Sequence, residues 1–241
     1  MKRLLNGTAV PQTKATQKHN SCWQSFIIMV NVATIRLWSG TVVPQIKVKV
    51  NGVEQSYETA VKWYRRAADQ GDGVAQNNLG ECFYYGDGIE QSYEVAVEWY
   101  RRAADKGNSC AQFALGDCYY HGHGVEESYE IAVKWYRRAA DQGNPRAEAS
   151  LGNCYLIGHG VEQSHESAVE YYCRAADQGV TDAQINLGKS YCRGLGVKQC
   201  YKTAFEWYRR AANQGNAEGQ FNVGESYYYG LGDGTELRYR S

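Results

Sequence analysis

The sequence predicts an all-α fold, an α/α solenoid (superhelix) of about five 36-residue helix-pair repeats, and three observations carry that prediction. The first is a fixed period: Gly52 opens GVEQSYETAVKWYRRAADQG, and near-copies open at Gly88, Gly124, Gly160 and Gly196 without insertion or deletion. Self-similarity at such a period is the signature of stacked supersecondary units. The second is the spacing of apolar residues inside each unit, which is helical. The third is punctuation, since 26 Gly against 3 Pro points to regular turns rather than disordered linker.

Taken in order, the first copy gives both elements of the unit. Ser56 is placed to N-cap a helix from Tyr57, with Glu58 in its acid-favouring first turn. Ala60, Val61, Tyr64, Ala67 and Ala68 form its apolar stripe, and Gly71 sits where a glycine terminates a helix. A second helix is predicted from about Val74 to Tyr85, with Ala75, Leu79, Gly80 and Phe83 on one face and Gly86 and Gly88 around the turn that follows. Glycine inside a helix costs about 1 kcal/mol relative to alanine. Its recurrence at Gly80, Gly116, Gly152, Gly188 and Gly224 therefore predicts close approach of a neighbouring helix. One helix pair cannot bury its own apolar face, so the units must stack.

The phased unit AQNNLGECFYYGDGIEQSYEVAVEWYRRAADKGN (Ala75–Asn108) resembles the Sel-one-like repeat, a relative of the tetratricopeptide repeat. The matching features are A-x-x-x-L-G at the start, Tyr and G-x-G-V in the middle, and A-x-x-W-Y-x-x-A-A-x-x-G at the end. Full units open at Ala75, Ala111, Ala147 and Ala183, with a half unit on either side. The resemblance implies a right-handed superhelix that acts as a non-catalytic adaptor for protein partners. A cysteine-rich bacterial branch of the family, linked to β-lactam binding, staples each repeat with a disulfide. The staple positions here hold Ala68, Ala104, Ala140 and Ala75, Ala111, Ala147, so hydrolase-like or β-lactam-binding activity is the lesser alternative.

Composition narrows the classes further. Basic and acidic side chains balance at 26 each, which removes the field that draws a polyphosphate and argues against a nucleic-acid partner. The most apolar stretch, Phe26–Val32, is too short for a membrane span, and no secretory signal is legible, so a cytoplasmic location is expected. Cys82, Cys118 and Cys154 share one repeat position with Ser190 and Ser226 and read as packing residues. Cys118, His121 and His123 are one ligand short of a closed zinc site. No catalytic residue, cofactor or metal is expected.

The flanks stand outside the repeat. Residues 1–51 contain two related segments, GTAVPQTK (Gly7–Lys14) and GTVVPQIK (Gly40–Lys47). Back-translating Ser39–Lys47 and reading from the third base permits Trp-Tyr-Arg-Arg-Ala-Ala-Asp-Gln, the sequence of Trp63–Gln70. Residues 232–241 permit a similar reading one base later. Both ends are therefore read as shifted translations of further repeats without a native fold of their own, 52–231 being the solenoid. The competing readings are a divergent N-terminal region with a strand at Val42–Val50, and a truncated product without function. On the shifted-frame reading α-helix 57–70 lacks its preceding partner, so Val61 and Tyr64 should be more exposed than Val97 and Tyr100, whereas a real N-terminal region would act as a cap and protect them.

A partner surface is predicted where the copies differ. On the second helix of each unit, one position reads Asn77, Phe113, Ala149, Ile185, Phe221. The next reads Glu81, Asp117, Asn153, Lys189, Glu225, and the third Tyr85, His121, Ile157, Arg193, Tyr229. Spacings of four place the three on one helix face. Stacking turns that face into a continuous groove for an extended peptide or partner helix, with Phe113, Ile185 and Phe221 as apolar anchors. By contrast the outer Arg66, Arg102, Arg138, Arg174 and Arg210 never vary.

Overall fold

A computed structural model of the chain describes residues 49–50 and 53–232, with side chains described from Gln55 onward. The chain divides after Gln55 into two units. In the first, β1 (Lys49–Val50) pairs antiparallel with β2 (Val53–Glu54), Val50 opposite Val53. The rest of the Val42–Val50 segment and nearly all the residues given the shifted-frame reading lie outside the described residues.

The described residues of the second unit hold ten helices in five pairs. In chain order they are α1 (Tyr57–Asp69), α2 (Gly73–Tyr85), α3 (Tyr93–Asp105), α4 (Ser109–His121), α5 (Tyr129–Ala140), α6 (Pro145–Ile157), α7 (His165–Asp177), α8 (Thr181–Arg193), α9 (Tyr201–Asn213) and α10 (Ala217–Tyr229). The caps follow the sequence. Ser56 Oγ accepts from the Thr59 N–H at 3.2 Å, and Ser92, Ser128 and Ser164 repeat that bond. The even helices are capped by Asp72, Asn108, Asn144 and Asn216 and end on left-handed glycines, beginning with Gly86 at φ 76°. The fourth and fifth units depart from this. Val180 and Cys200 stand at the cap positions of α8 and α9 and make no side-chain capping bond.

Each odd helix from α3 to α9 packs between the even helices before and after it. The recurring glycine marks the contact between units. A Cβ on Gly80 would lie 2.7 Å from the ring of Tyr100, on Gly116 2.6 Å from Tyr136, and on Gly152 2.5 Å from Tyr172, while Gly188 meets Tyr208 in the same way. The close approach is thus a tyrosine ring laid flat in a notch that only glycine leaves open. The hydroxyl then reaches the residue after the glycine: Tyr136 donates to Asp117 at 2.6 Å and Tyr172 to Asn153 at 2.7 Å. Leu79, Leu115, Leu151 and Leu187 are fully buried beside these rings, as are the predicted packing cysteines Cys118 and Cys154.

A second ladder ties the pairs together. Gln76, Gln112 and Gln184 each donate through Nε2 to the carbonyl of Ala68, Ala104 and Ala176 at 3.0–3.1 Å. In the third unit Glu148 takes that place, and a carboxylate has no proton to give to a carbonyl. Glu148 is buried and accepts from Gln178 at 2.7 Å.

The expectation for the first helix holds for one residue of the two. Tyr64 is half-buried, whereas Tyr100 is 2% exposed. Val61 is as buried as Val97, because Val61 and Ala68 pack against α2, which is present, whereas Tyr64 touches α2 on one side, through Asn78, and is left uncovered on the other.

Candidate partner-binding surface

The even helices run side by side along one wall. Asn186 on α8 donates to Asn153 on α6 at 3.2 Å, and Lys189 on α8 pairs with Glu218 on α10 at 2.6 Å. Along this wall the three variable rows separate by depth. The row at Asn77 is core: Asn77, Phe113 and Ile185 are buried under the next odd helix. Phe113 and Ile185 therefore fill the space between units and do not serve as groove anchors, which corrects the sequence reading. Phe221 alone in that row is exposed, because no helix follows α10 among the described residues.

The middle row is half-buried and partly committed. Asp117 and Asn153 hold the tyrosine hydroxyls described above, and Glu81 accepts from Asn77 Nδ2 at 3.0 Å. Burial raises the carboxyl pKa of both Glu81 and Asp117, opposed by hydrogen bonds from Asn77 and Tyr136 and by the Arg146 guanidinium. Arg146 itself lies over the Phe113 ring at 4.7 Å. Lys189 brings a cation into the fourth unit of the row, and Glu225 is exposed in the fifth.

The outer row is open. Tyr85, Ile157 and Tyr229 are each more than half exposed, and His121 and Arg193 are exposed beside them. One such residue per unit gives a strip whose character changes along its length: aromatic, imidazole, aliphatic, cationic, aromatic.

The constant arginines have a local reason. Arg66, Arg102, Arg138 and Arg210 lie 4.2–4.8 Å over the rings of Trp63, Trp99, Trp135 and Trp207 three residues earlier, and Arg174 does the same over Tyr171 at 5.3 Å. Their neighbours Arg101 and Arg137 reach across to the Tyr119 and Tyr155 hydroxyls at 2.8 Å. Constancy on the odd helices is therefore structural, a role the sequence alone did not disclose. The signal was there, in the Trp-Tyr-Arg-Arg spacing that puts ring and guanidinium three residues apart on one face.

The residues weighed for a metal are engaged otherwise. Cys118 is fully buried and its thiol is pushed up to about 12 by burial. His123 Nδ1 lies 2.7 Å from the Tyr84 hydroxyl, and its ring stacks on Tyr93. His159 repeats this with Tyr120 and Tyr129. Cys82 and Cys154 are likewise buried, with thiols raised to about 11 and about 12 by burial, which keeps them from being nucleophiles at neutral pH. Among the described residues no helix is long and apolar enough to cross a membrane.

Comparison with known proteins agrees with this architecture. The Sel1 repeat pattern matches residues 50–72, 73–108, 111–144, 145–180, 181–216 and 217–236. No curated protein is similar enough to match. Among solved structures, a protective antigen of uropathogenic Escherichia coli strains displaying an SLR fold is 36% identical with a TM-score of 0.71. That match covers 78% of this chain and only 40% of the antigen. A Sel1 repeat protein from Oxalobacter formigenes is 36% identical with a TM-score of 0.70, covering 78% of this chain and 75% of its own. The immunity protein Pa5087 from Pseudomonas aeruginosa, at 23% identity and a TM-score of 0.50 over 73% of this chain and 64% of its own, shares the fold alone. Period, paired helices, glycine notches and matched segments converge: the chain belongs to the Sel1 repeat family.

Proposed function

We propose that the chain is a non-catalytic scaffold that holds a protein partner along the wall of even helices. Sel1 repeats generally mediate protein–protein interaction, and the fold is typically a non-catalytic helical scaffold. The observation that carries the reading is the open row Tyr85, His121, Ile157, Arg193 and Tyr229, where large side chains stay exposed at one register position per unit. Exposed aromatic and aliphatic groups on a helical wall suit an extended segment or the apolar face of a helix, whose side chains would meet one unit after another. The exposed Arg193 favours an acidic stretch of that segment over the fourth unit, where Lys189 is paired with Glu218.

The test is capture of a partner by the full chain, its identification, and titration of the purified partner against variants. Tyr85→Ala with Ile157→Ala should weaken binding strongly, and Lys189→Glu should weaken it less. Arg66→Ala and Arg102→Ala should leave it unchanged. Binding that depends on the arginines and ignores the even helices would move the site to the other wall and overturn the reading.

A further inference from the structure

We propose that copies of this chain stack head to tail, α1 of one copy seating on α10 of the next. The claim is independent of the partner surface proposed above and rests on a register comparison between the two ends of the array. Four of the five notch glycines hold the ring of the following unit's tyrosine, but a Cβ on Gly224 would meet nothing within 4 Å. Around that vacancy the residues that should be covered are bare. Phe221 is 64% exposed where Phe113 is 8% exposed, and Tyr228 is exposed where Tyr120 is half-buried. Phe221, Gly224 and Tyr228 follow at spacings of three and four, so they form one stripe along α10.

The matching plug is on α1. In the internal units the stripe that enters the notch is Ala96, Tyr100 and Ala103, or its equivalent, and all three are buried. On α1 the same stripe is Ala60, Tyr64 and Ala67, each only partly buried. Its tyrosine would lie on Gly224 as Tyr100 lies on Gly80. Its hydroxyl would then meet Glu225, the exposed counterpart of the Asp117 carboxylate that accepts from Tyr136. Charge agrees, since exposed Glu225 lies on α10 and exposed Lys62, Arg65 and Arg66 on α1. Because notch meets plug, the contact is heterologous. It does not close at two copies and leads to short filaments or a ring.

Sedimentation velocity of the full chain at rising concentration tests this. The wild-type chain should form species larger than a dimer. Gly224→Trp, which fills open space on the monomer surface, should leave only monomer, and so should Tyr64→Ala or Ala60→Lys on α1, with circular dichroism confirming that each variant is folded. A mixture of the Gly224→Trp and Tyr64→Ala chains keeps one intact notch and one intact plug, so it should form a dimer that grows no further. A wild-type chain that stays monomeric, or association that survives Gly224→Trp, would overturn the proposal. So would a monomer that binds an added peptide of the α3 sequence on α10, since the end would then receive a different repeat-bearing chain.

Discussion

The odd and the even helices repeat with different fidelity, and the reason is not the same throughout. On the odd helices, the exposed arginines at Arg66 and its equivalents are constant because they are paired, guanidinium over ring, and Arg101 likewise reaches a tyrosine hydroxyl. On the even helices, variation occurs at buried Phe113 and Ile185 as freely as at exposed Ile157 and Arg193. Variation between units thus marks two different things, a core layer that tolerates several apolar shapes and a surface that is free to differ. Depth separates them, and depth is what the sequence pattern leaves out.

The sharpest way to break this distinction is on α6, which carries both kinds of residue. Leu151→Ala, at a fully buried position, should cost about 2–5 kcal/mol, as a cavity opens between units. Ile157→Ala, half a helix away and 53% exposed, should stay within about 0.5 kcal/mol. Urea unfolding followed by circular dichroism measures both, and equal losses would erase the two layers.

The notch gives a comparison of opposite sign. Gly116→Ala drives a methyl into the Tyr136 ring and should cost about 1–3 kcal/mol, because the ring is hemmed in by the Asp117 bond. Gly224→Ala has open space and should gain up to about 1 kcal/mol of helix propensity in the monomer. Thermal melts at low concentration are the measurement, and a loss at Gly224 would show that its notch is already filled.

Smaller effects sharpen the comparison between units. Glu148→Gln should restore the donor to the Ala140 carbonyl while its oxygen still accepts from Gln178, for about 1 kcal/mol. Burial, partly offset by Arg174 and Gln178, raises the Glu148 pKa, so the folded chain binds that proton more tightly than the unfolded one. The stability contributed is full below the ordinary glutamate pKa and lost as pH rises through the raised folded value. The advantage of the variant should therefore grow with pH across that window and then level off, and a pH-independent difference would leave the carboxylate without a role. Val180→Asn should supply the missing cap of α8 for about 1 kcal/mol, raising the melting temperature, as the caps at Asn108 and Asn144 imply.

Most of the architecture was legible because each physical requirement recurs five times. Ser56 before Tyr57, Gly71 and Gly86 after their helices, and the Ala60–Ala68 stripe state helix ends and faces directly. The notch glycines announced a close neighbour, though not that a tyrosine ring would fill it. The surface was read less well. Spacings of four put Asn77, Glu81 and Tyr85 on one face, but a helix buried on one side turns that face from core to solvent across its width. Asn77 falls on the inner edge, under the next helix, and Tyr85 on the outer. That width depends on how far the following unit overhangs, which no single unit encodes.

Many of the ties between units reach back by one unit. Lys106 donates to the Gly71 carbonyl, Asn108 to that of Gly73 and Asn144 to that of Ser109, each 35 residues earlier, and the tyrosines look back 19 or 20 residues to their notches. Excising residues 109–144 would thus hand α3 to α6 and recreate an interface the fold already contains. At the level of DNA, near-identical units invite unequal crossing-over, and an in-register exchange is silent for packing while it adds or removes a whole step of wall. A slip by any other length sets tyrosine against a side chain instead of a glycine. Chain length in such a protein is heritable variation that folding does not resist, provided it comes in units of 36 residues.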